Sequence, residues 1–244
     1  MTSSVITLSP GAEEQAFAAA VDHLGEEGFL PALLRWAQVA LGASDGALIR
    51  HGGRDAELAA AASVQGRTAQ EVGEWYMRGA WYLQEPNLAL ARAAPATLQM
   101  SLLTQDELPD PRWREQYART RLAERLSLLV PLPDAGVPGW VFFNAYRPQG
   151  CTLPLEAACA ALRRRGTTLA AVVRRHLALR PASPFEGLSV RERQVVDAIL
   201  AGASAKESAR ALGLSPTSIA TYRQRAFDKL GIQRQVQLFQ LARR

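Results

Sequence analysis

The sequence predicts an α+β domain built on an antiparallel sheet, followed by a small all-helical domain. Three observations carry this expectation. Through residues 1–180 helical and strand periodicities follow one another without a repeating βα unit. The stretch Arg180-Pro-Ala-Ser-Pro-Phe-Glu then interrupts the pattern as a short, proline-stiffened linker. Charge changes at the same place: residues 181–244 hold ten Lys/Arg against five Asp/Glu, whereas residues 1–180 hold 18 of each. The expected division is a first domain over 1–180, a linker over 181–187 and a second domain over 188–244.

Taken in order, Glu13 to Leu24 and Phe29 to Leu41 place Phe17, Val21, Leu24, Leu30, Leu33, Leu34, Ala37 and Leu41 at helical spacing, predicting two helices. Gly42 and Ser44-Asp45-Gly46 break that pattern. Ala47 to Arg50 and Glu57 to Ser63 read as short strands joined by the HGGRD turn. Thr68 to Met77 reads as a helix, with Thr68 as N-cap and Glu71 completing a capping box. An aromatic cluster, Trp75, Tyr76, Trp81 and Tyr82, runs into Glu85-Pro86, where the helix is expected to end or bend. Thr97 to Leu103 predicts a strand and Pro111 to Arg121 a charged helix. Leu126 to Leu132 and Gly139 to Tyr146, separated by PDAGVPG, predict the clearest pair of antiparallel strands. Leu153 to Leu179 carries Leu155, Ala158, Cys159, Leu162, Leu169, Val172, Val173 and His176 on one apolar stripe, predicting a long helix. Six arginines, Arg163, Arg164, Arg165, Arg174, Arg175 and Arg180, crowd onto it and the junction that follows.

Composition narrows the function classes. With 244 residues, 48% of them apolar, the chain can bury a core in each of two domains. The N-terminus has no basic region followed by an apolar run, and no apolar stretch reaches the roughly 20 residues of a membrane helix, so a cytoplasmic protein with no membrane partner is expected. Cys151 and Cys159 fit a reducing compartment, and nothing around them suggests CxxC or a metal cluster. His23, His51 and His176 have no Cys, Asp or Glu at ligand spacing, and no GxSxG, HExxH or phosphate loop occurs. The expectation is no enzyme, no metal and no cofactor.

The sharpest local pattern is Gly187 to Gly231. Ser215 is placed to N-cap a helix, Pro216 to occupy its first position and Gly231 to terminate it in a left-handed conformation. Thr217 to Leu230 between them make about 21 Å of helix at about 1.5 Å per residue. An amphipathic helix and a tight turn precede it, so the segment reads as a helix-turn-helix whose second helix suits a major groove. Basic charge concentrated here points to a phosphate-backbone partner.

The residues also carry a resemblance. Leu188-Ser189-x-Arg191-Glu192-Arg193-x-x-Val196, Gly202-x-Ser204-x-Lys206-Glu207-x-Ala209, Leu212-Gly213-x-Ser215-Pro216-x-Ser218-Ile219 and Lys229-Leu230-Gly231 resemble the DNA-binding domain of LuxR-type transcriptional regulators. The resemblance implies a four-helix domain that binds promoter DNA, with the protein acting as a homodimer. It also implies that Ala220, Thr221 and Gln224 stand at base-contacting positions and that Lys206, Thr217 and Arg225 hold phosphates. Gln224 would pair adenine and Thr221 touch a thymine methyl; Ala220 departs from the lysine common at its position. Arg191, Glu192 and Glu207 resemble the family's internal ion-pair residues. Periodicity independently puts Ile219, Tyr222, Ala226 and Leu230 on an inner face against Val195, Ile199, Ala209 and Leu212. In the last helix, Arg234 to Leu241, Val236, Leu238, Phe239 and Leu241 are expected to be exposed, at what the resemblance makes a dimer contact, with core packing inside the domain the competing explanation for Phe239.

The first domain's element order is similar to a PAS- or GAF-like sensor, with helices mainly on one face of the sheet and a pocket for a small-molecule effector. Trp75, Tyr76, Trp81, Tyr82 and Trp113, with Glu85 as polar anchor, are the candidate ligand-binding residues, and Trp140 and Phe142 are candidate lining. The plain alternative is that these aromatics are core. Trp81-Tyr82-Leu83-Gln84-Glu85-Pro86 also resembles the pocket motif of acyl-homoserine-lactone receptors, with Glu for their Asp. Trp113, however, lies 27 residues past Pro86, farther than that template places its tryptophan. Two rivals stay open: a regulator whose terminal helices bind protein partners such as RNA polymerase without DNA contact, and an enzyme acting in the aromatic pocket.

Overall fold

The structure is a computed structural model that describes residues 10–52, 56–66, 68–79, 81–132, 139–180, 185 and 187–242. The N-terminal segment 1–9, most of the HGGRD and PDAGVPG turns and most of the 181–187 linker lie outside the described residues. The chain divides into two units, Met1–Arg180 and Pro181–Arg244.

The first unit is organised on α2 (Phe29–Leu41), which follows α1 (Ala12–Asp22). Nine of the 13 residues of α2 are buried, Phe29, Leu33, Trp36 and Leu41 among them. Gly42 ends the helix at φ 69°, a conformation open to glycine without Cβ strain, and Cys151 packs where a side chain would stand. Five strands follow: β1 (Asp45–His51), β2 (Ala56–Ser63), β3 (Gln99–Thr104), β4 (Leu122–Leu132) and β5 (Gly139–Pro148). They pair antiparallel in the order β2-β1-β5-β4-β3. The strands β4 and β5 extend beyond their apolar runs because Glu124 and Arg147 face each other across the ladder and ion-pair at 2.7 Å.

Helices cover both faces of this sheet, not mainly one. On one face Leu48, Leu126, Leu128, Val130, Val141, Phe143 and Ala145 form a single apolar core with α1, α2 and α6 (Leu155–Leu179). On the other face stand α3 (Thr68–Arg78), α4 (Pro86–Ala93) and α5 (Pro111–Arg119). The reason is legible in β4 and β5: consecutive residues of Leu128-Leu129-Val130 and Val141-Phe142-Phe143 are all buried, which requires cover on both sides.

The helix α4 and a 3-10 turn over Trp81–Gln84 were not expected. Glu85-Pro86 starts a helix here instead of ending one. The Glu85 carboxylate accepts from the Asn87 amide and Pro86 sits at the first helical position, where its missing N–H costs nothing. The start of α3 also differs, since the amide of Ala69 is met by the Ser63 hydroxyl at the end of β2. Three side chains fasten α6. Arg164 and Arg165 both reach Glu13 of α1, and His176 stacks on Phe29 at 4.0 Å while its Nδ1 accepts from the Gly25 amide. No helix among the described residues is long and apolar enough to cross a membrane, and no group of His, Cys, Asp or Glu among them is placed to hold a metal ion.

The second unit consists of α7 (Val190–Leu200), α8 (Ala205–Leu212), α9 (Pro216–Leu230) and α10 (Gln235–Leu241). Val195, Val196, Ile199, Ala209, Ile219, Ala226, Phe227 and Leu238 form its core, with Tyr222, Leu212 and Leu230 half-buried against it. The inner face anticipated for α9 is thus present, widened by Phe227. Leu238, expected to be exposed, is fully buried and Leu241 half-buried, because α10 closes this core; Val236 and Phe239 remain on its outer side.

Candidate functional site

In the second unit every helix start is chemically specified. Ser189 and Glu192 form a capping box on α7, and Ser204 and Glu207 form another on α8. Glu192 also takes the Lys229 ammonium at 2.7 Å, tying α7 to the last turn of α9. Burial alone would raise the Glu192 carboxyl; the bonds from Lys229 and Ser189 outweigh it and hold the group below the ordinary carboxylate range. Glu207 therefore serves as a cap in place of the expected ion pair, and Arg191 bonds Gln194.

Gly213, at φ 64°, turns the chain from α8 into α9, and the Ser215 hydroxyl accepts from the Ser218 amide at 3.0 Å. These two devices aim α9. Thr217, Ala220, Thr221, Gln224 and Arg225 then fall on its exposed side, opposite the buried Ile219, Ala226 and Phe227, and Lys206 is exposed in the first turn of α8. The free N–H groups at the α9 N-terminus, beside exposed Thr217, favour an anionic oxygen. Two of the polar tips are engaged within the helix. Thr221 Oγ1 donates to the Thr217 carbonyl at 3.0 Å, and Gln224 Nε2 donates to Asp228 at 2.8 Å. Sequence reasoning did not single out Asp228 as a partner, although the i, i+4 spacing carries the signal. It also passed over Arg223, which lies over the Phe227 ring at 5.1 Å.

In the first unit five of the candidate aromatics, from α3, the 3-10 turn and α5, meet. Trp75 of α3 stacks on Trp81 at 5.0 Å and 18°, and Trp113 of α5 meets Trp75, Trp81 and Tyr76 edge-on. Tyr82 is buried 6.4 Å from Tyr76. Trp140 and Phe142 do not join them. They pack with Leu88, Ala91 and Leu129 under α4, because they point from β5 at the register positions beneath that helix.

Glu85 is the centre of a buried polar network. Arg125 donates to it through both terminal nitrogens, at 2.6 and 3.2 Å, and Tyr76 Oη and the Asn87 amide each donate at 3.1 Å. Arg125 is 2% and Glu85 4% exposed, so the pair is desolvated. Burial by itself would raise the Glu85 carboxyl, yet the Arg125 charge and hydrogen bonds hold it below the ordinary range. The Tyr76 hydroxyl is pushed up by burial and by Glu85. His51, lying 4.3 Å from the Phe142 ring, is pushed down to about 4, chiefly by burial.

Arg125 is the functional residue that sequence reasoning did not select. Its signal is a charge in the strand Leu122–Leu132 at a position sharing a face with Ser127 and Leu129. Eight buried side-chain polar atoms on this side of the sheet have no hydrogen-bond partner among the described residues: both of His51, both of Asn87, and one each of Trp113, Tyr117, Arg125 and Trp140. On the α2 and α6 side only Trp36 Nε1 and Arg147 Nε are in that state among the described residues, and the latter is ion-paired with Glu124, so the unmet polar atoms concentrate on the α3, α4 and α5 side.

Comparison with known proteins follows the same division. Residues 186–242 match the GerE model, bacterial regulatory proteins of the luxR family, so the second unit is a LuxR-type helix-turn-helix domain. It is 43% identical over 60 residues to the response regulator UvrY of Escherichia coli K12, and equally to UvrY of Shigella flexneri. That alignment takes in 25% of this chain and spans 28% of the length of UvrY. The first unit is similar in fold to the VqsR ligand-binding domain of Pseudomonas aeruginosa, with a TM-score of 0.54 and 12% identity over 70% of this chain and all of that one. It is also similar to CepR2 of Burkholderia cenocepacia, an N-acylhomoserine-lactone-dependent LuxR-family transcription factor, with a TM-score of 0.52 and 16% identity over 70% and 97% of the two chains.

Proposed function

We infer that this chain is a transcriptional regulator that binds promoter DNA sequence-specifically through its C-terminal domain and senses a small molecule with its N-terminal domain. The observation that supports the reading best is the build of α9. Its caps fix both ends, its inner stripe is core, and its outer stripe presents short or polar side chains that fit a major groove. In the proposed complex Ala220, Thr221 and Gln224 face base edges, while Lys206, Thr217 and Arg225 meet phosphates. The protein works as a homodimer in the cytoplasm, bringing two α9 helices to half-sites about one DNA turn apart. RNA polymerase is a partner in this scheme, and the chain's work is regulation rather than catalysis. The Leu155–Leu179 helix would pass ligand state to the DNA-binding domain.

The test starts with fragments of genomic DNA selected by the full chain. Affinity for the best fragment is then measured by fluorescence anisotropy at about 50 and about 200 mM salt, where several phosphate contacts predict a loss of at least about tenfold. Failure to enrich any fragment, or binding indifferent to salt, refutes the reading and favours recognition of a protein partner.

An acyl-homoserine-lactone receptor is the second reading, favoured by the fold likeness to CepR2 and by Glu85-Pro86. Against it stands the state of Glu85. Both carboxylate oxygens already take two hydrogen bonds each from within the protein, leaving no acceptor for a ligand amide.

A further inference from the structure

Between the sheet and helices α3 and α5 lies an internal space of about 20 Å³, with Tyr76, Trp113, Tyr117, Arg125 and Tyr146 among its lining. It has room for a water molecule or two. A surface cleft of about 250 Å³ lies outside it, walled by Trp75, Trp81, Arg112 and Gln116 among others. Trp75 lines both, so it is the wall they share, and it is only half-buried. The cleft's arginines are engaged, Arg112 with Asp110 and over the Trp81 ring at 4.4 Å, and Arg119 with Gln116; the stacked indoles and the exposed Glu115 make up the rest of its wall.

Among the side chains facing the inner space hydrogens outnumber acceptors: Trp113 Nε1, Arg125 Nε, Tyr117 Oη and Tyr146 Oη bring four hydrogens, against the three hydroxyl oxygens of Tyr76, Tyr117 and Tyr146. Trp113 Nε1, Tyr117 Oη and Arg125 Nε are buried without hydrogen-bond partners among the described residues, and each carries a hydrogen to donate. A bond from Arg125 Nε to the Tyr117 oxygen would still leave the Tyr117 proton and the Trp113 N–H. The nearby acceptor, Glu85, is saturated by Arg125, Tyr76 and Asn87. Buried donors left unmet are costly, and what relieves them is an oxygen acceptor arriving from outside.

We propose that the cleft and the inner space are two ends of one ligand site, and that its ligand is a planar, largely apolar molecule whose buried end is a ketone, ester or lactone carbonyl without an N–H or O–H donor. This rests on the sensor reading above. Trp75, now stacked on Trp81, turns aside to join the two spaces, and the Trp81 face it leaves supplies a flat wall for the ring. The carbonyl then meets Trp113 Nε1 and Tyr117 Oη beside Arg125. A ligand with an N–H at the same end would add a donor where hydrogens already outnumber acceptors.

The test compares coumarin, a planar lactone with acceptors only, and indole, a planar bicycle of similar size with a donor only. Each is titrated into the full-length protein by calorimetry, with the thermal midpoint as second readout. Indole is the more apolar of the two, so tighter coumarin binding reports the polar end. The expected result is coumarin binding at least tenfold tighter than indole, with the Trp113→Phe/Tyr117→Phe double variant losing that preference while indole affinity stays unchanged. Indole binding as tightly as coumarin overturns the donor-lined site and leaves the sensor reading standing. N-Hexanoyl homoserine lactone binding more tightly than coumarin does the same. If none of the three probes binds, the sensor reading of this site falls with it.

Discussion

Replacing Arg125 with methionine removes the counter-charge of Glu85 and leaves most of the side-chain volume. The carboxylate then stands 4% exposed, with two of its four hydrogen bonds gone. Breaking one partner out of a buried pair costs about 3–5 kcal/mol, because the remaining charge is stranded in low dielectric. Removing both partners together, as Glu85→Gln with Arg125→Met, leaves no charge to strand and is expected to cost far less than the sum of the single changes. The interaction energy from the double-mutant cycle should therefore exceed about 2 kcal/mol. Intrinsic tryptophan fluorescence isolates the relevant unit, since all five tryptophans, Trp36, Trp75, Trp81, Trp113 and Trp140, lie before residue 181. For a domain of this size the single variant should melt about 6–20 °C below the parent. pH adds a signature. In the parent, Glu85 has a lowered pKa, so its contribution is complete above the unfolded carboxylate value of about 4.3 and is lost as pH falls below it. In Arg125→Met burial outweighs the Asn87 and Tyr76 bonds that remain, the folded pKa rises above the unfolded one, and acidification from neutral pH should stabilise the variant relative to its own neutral value. A single variant within about 1 kcal/mol of the parent, or strictly additive changes, would refute the account of this network.

The remaining predictions concern the recognition helix and a buried histidine. Gln224→Ala should alter base preference at one position by about 1–3 kcal/mol, whereas Arg225→Ala should weaken all sites alike and reduce the salt slope by about one; affinities over a set of single-base operator variants check both. His51 is pushed down to about 4 by burial, so the folded state resists its protonation. Its contribution is complete above the unfolded value of about 6.5 and falls away towards pH 4, by about 3 kcal/mol at most. Urea titrations at pH 7 and pH 5 on the parent and on His51→Gln should show a smaller acid loss in the variant.

The two units differ in how far their residues disclose them, and the difference is physical. In the second unit, information is local. Ser215, Pro216, Gly213 and Gly231 act within one turn of where they stand, so caps, turn and inner stripe are readable one after another. What was not readable there is long-range: Leu238 is buried by a core that four helices close jointly, and Lys229 reaches Glu192 across 37 positions. In the first unit nearly everything that matters is of this second kind. The same dipeptide, Glu85-Pro86, is locally consistent with ending a helix or starting one, and the choice rests on a carboxylate that also binds Arg125, 40 positions away. The six candidate residues converge without exception on the side of α3 and α5, yet the charge opposing Glu85 sits in a strand whose pattern reads as ordinary sheet.

The asymmetry of the two sheet faces ties these points together. On the α2 and α6 side, packing is apolar and a helix of nine buried residues is sufficient to hold it. The side facing α3, α4 and α5 keeps a charged pair, a neutral histidine and several unmet donors in the same low-dielectric layer. Apolar substitutes of similar volume would make this layer cheaper to bury. A domain whose stability derives from one face can tolerate a costly second face only within a margin of several kcal/mol, and any molecule that satisfies those donors stabilises the folded state in proportion to its occupancy. Ligand-induced stabilisation should accordingly be registered by Trp75, Trp81, Trp113 and Trp140, while Trp36, buried beside Phe17 on the opposite face, reports little of it. Fluorine labelling of the five tryptophans would separate these responses, and a coumarin-induced change confined to Trp36 would contradict the division of the sheet into a structural and a sensing face.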